Sequence, residues 1–104
     1  MSYRVAVCYG APKDPSAFDT HYQSIHIPLA NAIPGLTNFT WGKARALDGG
    51  EGAYYAVANL YFDTEDDLQA ALTSPQMNEA AGDLANFADG GATLFVQNEE
   101  SVKA

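Results

Sequence analysis

A single cysteine, Cys8, stands in a chain of 104 residues. One thiol cannot close an intramolecular disulfide or build a cysteine zinc site, so an oxidised scaffold and a zinc ribbon are excluded and a reducing cytoplasm is the expected setting. Basic residues are scarce as well: 5 Lys and Arg against 13 Asp and Glu give a formal charge of −8. That sign is wrong for gripping phosphate backbones or anionic lipid, so neither nucleic acid nor a membrane surface is an expected partner. No apolar run approaches the roughly 20 residues that span a bilayer. The opening residues Met1 to Val5 lack a basic stretch followed by an apolar one, and the chain is expected to be unexported. Also missing are GxGxxG, a P-loop and a GxSxG elbow, which leaves nucleotide-driven and serine-hydrolase chemistry without a handle and implies no cofactor.

What the chain does have is apolar material for one core: 47% of its residues are hydrophobic and 12% aromatic. The length predicts a single domain over residues 1–104, with a polar C-terminal tail from about residue 98. A domain this small leaves much of its surface wet, so burial against a second copy would widen a thin stability margin.

Val5 to Tyr9 reads as a half-buried strand closed by Gly10, Pro12 and Pro15. Asp14 before Pro15 starts a helix, because the carboxylate accepts from free backbone N–H groups and proline fits the first turn. Phe18, Tyr22, Ile25, Leu29 and Ile33 then trace one apolar stripe. Pro28 interrupts it: it has no N–H for the carbonyl of residue 24 and disfavours helical geometry at Ile27, so a bend or break is expected near His26. Pro34 and Gly35 end the segment. Leu36 to Leu47 reads as a second strand with Gly42 as a bulge or close-approach point, and Ala53 to Phe62 as a third, joined by the Asp48–Gly52 turn. Thr64 caps a second helix whose acidic first turn complements the helix dipole. Ser74-Pro75 makes a joint in it, and Gly90-Gly91 stop it. Ala92 to Val96 is the fourth strand, ahead of a partly mobile tail through Ala104.

This βαββαβ order predicts an α+β, ferredoxin-like fold, a four-stranded antiparallel sheet with helices on one face. Strands two and three place large or apolar residues on both sides: Phe39 and Trp41 against Leu36 and Ala44, then Tyr55, Val57 and Tyr61 against Tyr54, Leu60 and Phe62. A sheet apolar on both faces needs a cover for the second, and a homodimer closed face to face is the economical one.

His26 is the first candidate for chemistry, since imidazole both takes and gives a proton near neutrality. The alternative is that it braces the kink at Pro28. Tyr22, one turn earlier, either orients a substrate carbonyl or is a core residue with its hydroxyl at the edge. His21 sits off the stripe, and its five-residue separation from His26 is not the i, i+4 spacing of two metal ligands on one helical face, so no metal site is expected. Trp41, Tyr55 and Tyr61 are either the aromatic wall of a pocket or sheet packing. Asn59, an amide in mid-strand, must find partners if buried and either orients a ligand or bonds across a dimer. Asp83 on helix two either fixes His26 as its acid partner or bonds a helix or loop terminus. Cys8 reads as a small hydrophobe rather than a nucleophile.

The pattern Phe18-x-x-x-Tyr22-x-x-x-His26-x-Pro28, followed by Pro34-Gly35-Leu36, resembles the EthD family of the dimeric α+β barrel superfamily. Ser74-Pro75-Gln76, Ala81-Gly82-Asp83-Leu84-Ala85-Asn86-Phe87 and Phe95-Val96 fall in the same order as that family's segments, so the resemblance covers nearly the whole chain. It matches His26 to the family histidine and Asp83 to a family aspartate. It implies a subunit that dimerises through its sheet, with a pocket between sheet and helices. The family's founding members accompany a cytochrome P450 system of ether degradation, and related barrels include isomerases, cyclases, dehydratases acting as lyases, and cofactor-free monooxygenases. The reading that results is a cytoplasmic homodimer that binds a hydrophobic or aromatic oxygenated molecule and isomerises, dehydrates or cyclises it without a cofactor. His26 and Tyr22 would be catalytic, with Trp41, Asn59, Tyr55, Phe18 and Asp83 binding the substrate. The rivals are a noncatalytic accessory or binding protein of an oxygenase pathway, and a dimer whose cavity is filled by its own side chains.

Overall fold

The structure, a computed structural model, describes residues 2–103; Met1 and the last residue of the expected tail, Ala104, lie outside the described residues. Strand β1 (Ser2–Tyr9) leads to helix α1 (Pro15–His21), a π-helical turn (Tyr22–His26) and helix α2 (Ile27–Asn31). Strands β2 (Asn38–Lys43) and β3 (Ala56–Phe62) follow, then helices α3 (Glu65–Leu72) and α4 (Pro75–Phe87) and strand β4 (Ala92–Glu99). The four strands form one antiparallel sheet in the order β2-β3-β1-β4, the ferredoxin-like α+β arrangement.

Local chemistry sets the element starts where the sequence places them. Asp14 accepts from the Ala17 N–H at 3.2 Å, Thr64 from Asp67 at 3.0 Å and Ser74 from Met77 at 3.1 Å, each satisfying a backbone donor that the helix itself leaves free. Ser74 also donates to the Ala71 carbonyl at 2.7 Å, so one hydroxyl ties the end of α3 to the start of α4.

Strand limits differ from the sequence reading. β4 continues past Val96 to Glu99 because Asn98 and Glu99 pair with Tyr3 and Ser2, carrying the ladder into the stretch read as the start of the tail. β2 stops at Lys43, and Gly42 is no bulge: it pairs in register with Val57, and the space a side chain would fill there is open. The close backbone approach lies elsewhere. A Cβ at Gly10 would collide with the Gly90 carbonyl and one at Gly90 with the Ala11 carbonyl, while the Gly10 N–H donates to the Gly91 carbonyl at 2.9 Å.

The core lies between sheet and helices. Val5, Val7 and Tyr9 of β1 and Ala56, Ala58, Leu60 and Phe62 of β3 meet Phe18, Tyr22, Ile33, Leu68 and Phe87. Central β1 is buried on both faces from Val5 to Tyr9, whereas β3 alternates between buried residues and half-buried Val57, Asn59 and Tyr61. The face away from the helices is less apolar than expected, since β2 contributes Asn38, Thr40 and Gly42 to it. Tyr55 does not join Val57 and Tyr61 there. It precedes β3, and its ring packs edge-on against Phe18 at 5.1 Å on the helix side. Among the described residues no helix is long and apolar enough to cross a membrane.

Candidate functional site

Pro28 shapes the site. It cannot donate to the carbonyl of Ser24, and the helix responds by widening rather than breaking: the Ile27 N–H reaches back five residues to the Tyr22 carbonyl, while His26 and Ile27 keep helical backbone angles. The wider turn shifts the buried stripe. Phe18, Tyr22, His26 and Ala30, four apart, point inward, and Ile25, expected inside, is 48% exposed. The same turn brings His21 and His26, five apart, onto one side of the helix, where α spacing would separate them.

Asp83 of α4 receives both. His26 Nδ1 lies 2.9 Å from Asp83 Oδ2, and His21 Nε2 lies 2.9 Å from Oδ1 and 3.1 Å from Oδ2. The Asn86 amide, one turn along α4, donates to Oδ1 at 3.0 Å. An ionised carboxylate only accepts, so this network assigns the His26 proton to Nδ1 and leaves Nε2 as the basic atom. No described residue bonds Nε2.

Electrostatics keep the pair in that form. Burial pushes the Asp83 carboxyl up, but hydrogen bonds from Asn86, His21 and His26 outweigh it, and the net shift is below the usual carboxylate range. Burial pushes the His26 imidazole below its ordinary value, opposed by the hydrogen bond and charge of Asp83. His26 is therefore neutral, and Asp83 ionised, at pH 7.

His26 lines a cavity of about 40 Å³ between sheet and helices, together with Val5, Val7 and Tyr9 of β1, Tyr22, and Met77, Ala80 and Leu84 of α4. Leu94, 48% exposed on edge strand β4, marks its mouth. The lining is apolar except for the imidazole and two phenols. The Tyr22 hydroxyl is buried with no hydrogen-bond partner among the described residues. Burial raises its ionisation far above the ordinary tyrosine value, with the nearby Tyr9 hydroxyl offsetting part of that rise. Tyr9 is raised likewise, by burial first and then by the charges of Tyr22 and Asp83.

Of the residues singled out from the sequence, His26, Tyr22 and Asp83 come together here. Trp41, Tyr55 and Phe18 do not line the cavity. Trp41 backs Tyr22 at 4.3 Å between ring centroids, Phe18 stacks on Tyr22 at 5.9 Å, and Tyr55 donates to Asp19 at 2.8 Å. Asn59 lies on the opposite face of the sheet, donating to Thr40 at 3.3 Å, because mid-strand alternation points it away from Ala58 and Leu60. From the sequence His21 is weighed only as a metal ligand, and Asn86 and Tyr9 are given no part in the site. The signal for His21 was its separation from His26, which matches one π turn ahead of a helix-interrupting proline.

A ferredoxin-like sheet with a histidine–carboxylate pair under its helices defines a small α+β protein whose buried His26 faces an apolar enclosure. The EthD domain matches residues 11–91, and the chain belongs to the EthD family. An uncharacterized 11.0 kDa protein from the thcB-thcC intergenic region of Rhodococcus erythropolis is 46% identical over 100 residues, 96% of this chain and 97% of that protein. The crystal structure of an EthD family protein from Bacillus halodurans superposes with a TM-score of 0.89 at 30% identity, over 96% of this chain and all of the other. A dimeric ferredoxin-like protein of unknown function from Jannaschia sp. CCS1 shares the fold, with a TM-score of 0.69 at 23% identity over 95% of this chain and all of the other.

Proposed function

We propose that this protein is a cofactor-independent proton-transfer enzyme, an isomerase or lyase acting on a small apolar molecule that carries a carbonyl. One observation supports the reading above others: a histidine base and a phenol donor, His26 Nε2 and the Tyr22 hydroxyl beside that of Tyr9, line one apolar cavity, and neither has a well-formed hydrogen bond among the described residues. With a carbonyl oxygen accepting from Tyr22, His26 Nε2 takes a proton from the adjacent carbon. The C–H electron pair moves into the enol, and the oxygen gains charge against the phenol. The imidazolium then returns the proton to a different carbon, which isomerises the substrate, or to a leaving hydroxyl, which dehydrates it. Asp83 holds the tautomer and stabilises the imidazolium. A 40 Å³ cavity holds about three waters, so a substrate must displace lining side chains to enter, among them half-buried Met77 and Leu84 and exposed Leu94.

The working unit in this reading is a cytoplasmic homodimer joined through the open sheet face. Arg4 Nε and Asn59 Oδ1 are buried there without hydrogen-bond partners among the described residues, and Phe95 is 45% exposed.

The test is solvent deuterium incorporation into small ketones, β,γ-enones and lactones, followed by NMR. Wild-type protein is expected to catalyse exchange at the carbon next to the carbonyl of at least one compound, and His26→Gln to lose it while still binding. Binding without exchange in the wild type leaves the accessory protein as the reading; no binding by any compound overturns both.

A further inference from the structure

We infer that His21 is a second acid–base group of this site, a positioning residue that shares the one carboxylate of Asp83 with His26, so that a proton taken up by His21 in the outer groove weakens His26 as a base in the inner cavity. The inference rests on the reading of His26 as proton acceptor, and it goes beyond that reading by giving the base a control on the opposite side of α1 and α4.

The two imidazoles occupy different spaces. His26, 6% exposed, lines the inner cavity, whereas His21 opens on a separate surface groove of about 330 Å³ bounded by α1 and the end of α4. Phe87 forms the partition: its ring lies 5.1 Å from the His21 ring, nearly parallel, and 4.8 Å from that of His26. The polar connection between the two spaces is Asp83, held at 2.9 Å by each ring.

A single carboxylate can balance one imidazolium. With His21 neutral, the charge of Asp83 stands against the Nδ1–H of His26 and supports the imidazolium that forms when Nε2 takes a proton. With His21 protonated, that charge is already compensated, and an imidazolium at His26 becomes a net positive charge in an apolar enclosure. The charge of His21 indeed acts on His26 in the same direction as burial.

The other titratable groups near the pair do not substitute for this exchange. From β1 and the π turn, Tyr9 and Tyr22 stay neutral because burial raises both phenols. Around the groove stand Lys13, Asp14 and Asp89. Asp14 caps α1 through the Ala17 N–H and Asp89 accepts from the Lys13 backbone N–H at 3.4 Å, so both groove carboxylates are engaged with backbone donors and, among the described residues, Asp83 alone bonds the His21 ring.

The test needs no substrate and so separates this inference from the proposed reaction. The two histidines are titrated by heteronuclear NMR in wild type, His21→Gln and Asp83→Asn. Glutamine keeps an N–H donor for Asp83 but takes up no proton. The expected result is that His26 in His21→Gln titrates about one pH unit higher than in wild type, since nothing competes for the carboxylate. A merely structural His21 gives the opposite sign, because a loosened Asp83 supports the His26 imidazolium less; an unchanged or lowered His26 titration overturns the inference. In Asp83→Asn the midpoint of His26 is expected to fall and the dependence on His21 to vanish, and a His26 midpoint that stays put there also overturns it. Asn86→Ala, which removes a donor without removing a charge, is the folding control. If His26 moves as expected while deuterium exchange is absent from the wild type, the coupling stands and the proposed reaction falls.

Discussion

The two faces of the sheet differ in how their polar atoms are treated. On the helix side, Asp83 accepts from three side chains and the aromatic rings of Tyr9, Phe18, Tyr22 and Phe87 interlock at 5.1 to 5.9 Å. On the open side, Arg4 lies 5.6 Å over the Phe95 ring and 3.8 Å from Glu99 without satisfying its Nε, and Asn59 uses its amide on Thr40 but not its carbonyl. On the closed face, His26 Nε2 and the Tyr22 hydroxyl are without a well-formed hydrogen bond among the described residues, and both face the cavity. The open face is incomplete across its middle, as an interface would be.

The largest effect is expected from breaking the closed face. Phe18 is 2% exposed and touches Tyr9, Tyr22, Tyr55 and Phe87, so Phe18→Ala removes the hub of the aromatic cluster. A loss of about 3–5 kcal/mol in unfolding free energy is expected from urea titration. A loss under about 1 kcal/mol would mean that the cluster repacks and does not fix the π turn.

Asp83→Asn comes next, at about 1–3 kcal/mol, because the histidines lose their charged acceptor. Its signature is pH dependence. His26 is lowered in the folded protein, so unfolding by protonation begins as pH falls through its ordinary value near 6.5; the stability it contributes is complete above that pH and lost below it. Asp83 is lowered too, and its contribution is lost below about 4 as pH falls toward its folded value. Wild type should lose stability in both windows, and Asp83→Asn should lose less in the lower one, Asp19 retaining a share through Lys43 and Tyr55. Tyr9 and Tyr22 act at the other end: their contribution is complete below about pH 10 and lost as pH rises above it.

On the open face, Phe95→Ser should leave each subunit folded and weaken self-association by about tenfold or more, read by sedimentation over a concentration series. An unchanged association constant would place the proposed dimer on another surface.

Much of this was legible in the sequence because it is local. Asp14-Pro15, Thr64 and Ser74-Pro75 name their own helix starts, and the tyrosine and valine runs name the strands. The position of His26 beside Pro28 flagged the site. What could not be read was the outcome of that proline. A widened turn and a broken one begin from the same residues, and only tertiary packing of Tyr22 and His26 against Phe87 selects the first. Regular α-helical spacing therefore predicts a stripe through Ile25 and sets His21 apart from His26. Asn59 went to the opposite side because strand alternation fixes a face, but nothing local says which face the helices cover.

Asn59→Leu is the smallest change and the sharpest probe of the two faces. Asn59 pairs with Ala6 of β1 and Thr40 of β2, at the centre of the open side. If that side stays wet, leucine changes unfolding free energy by no more than about 0.5 kcal/mol without altering association. If a second copy covers it, the amide turns to meet a donor across the interface, and leucine, which has the same branched shape but is larger and cannot accept, leaves that donor stranded, at about 1–3 kcal/mol of association free energy. A sedimentation series on this variant, beside its urea titration, decides between them, and the proposed dimer predicts weakened association with subunit folding intact.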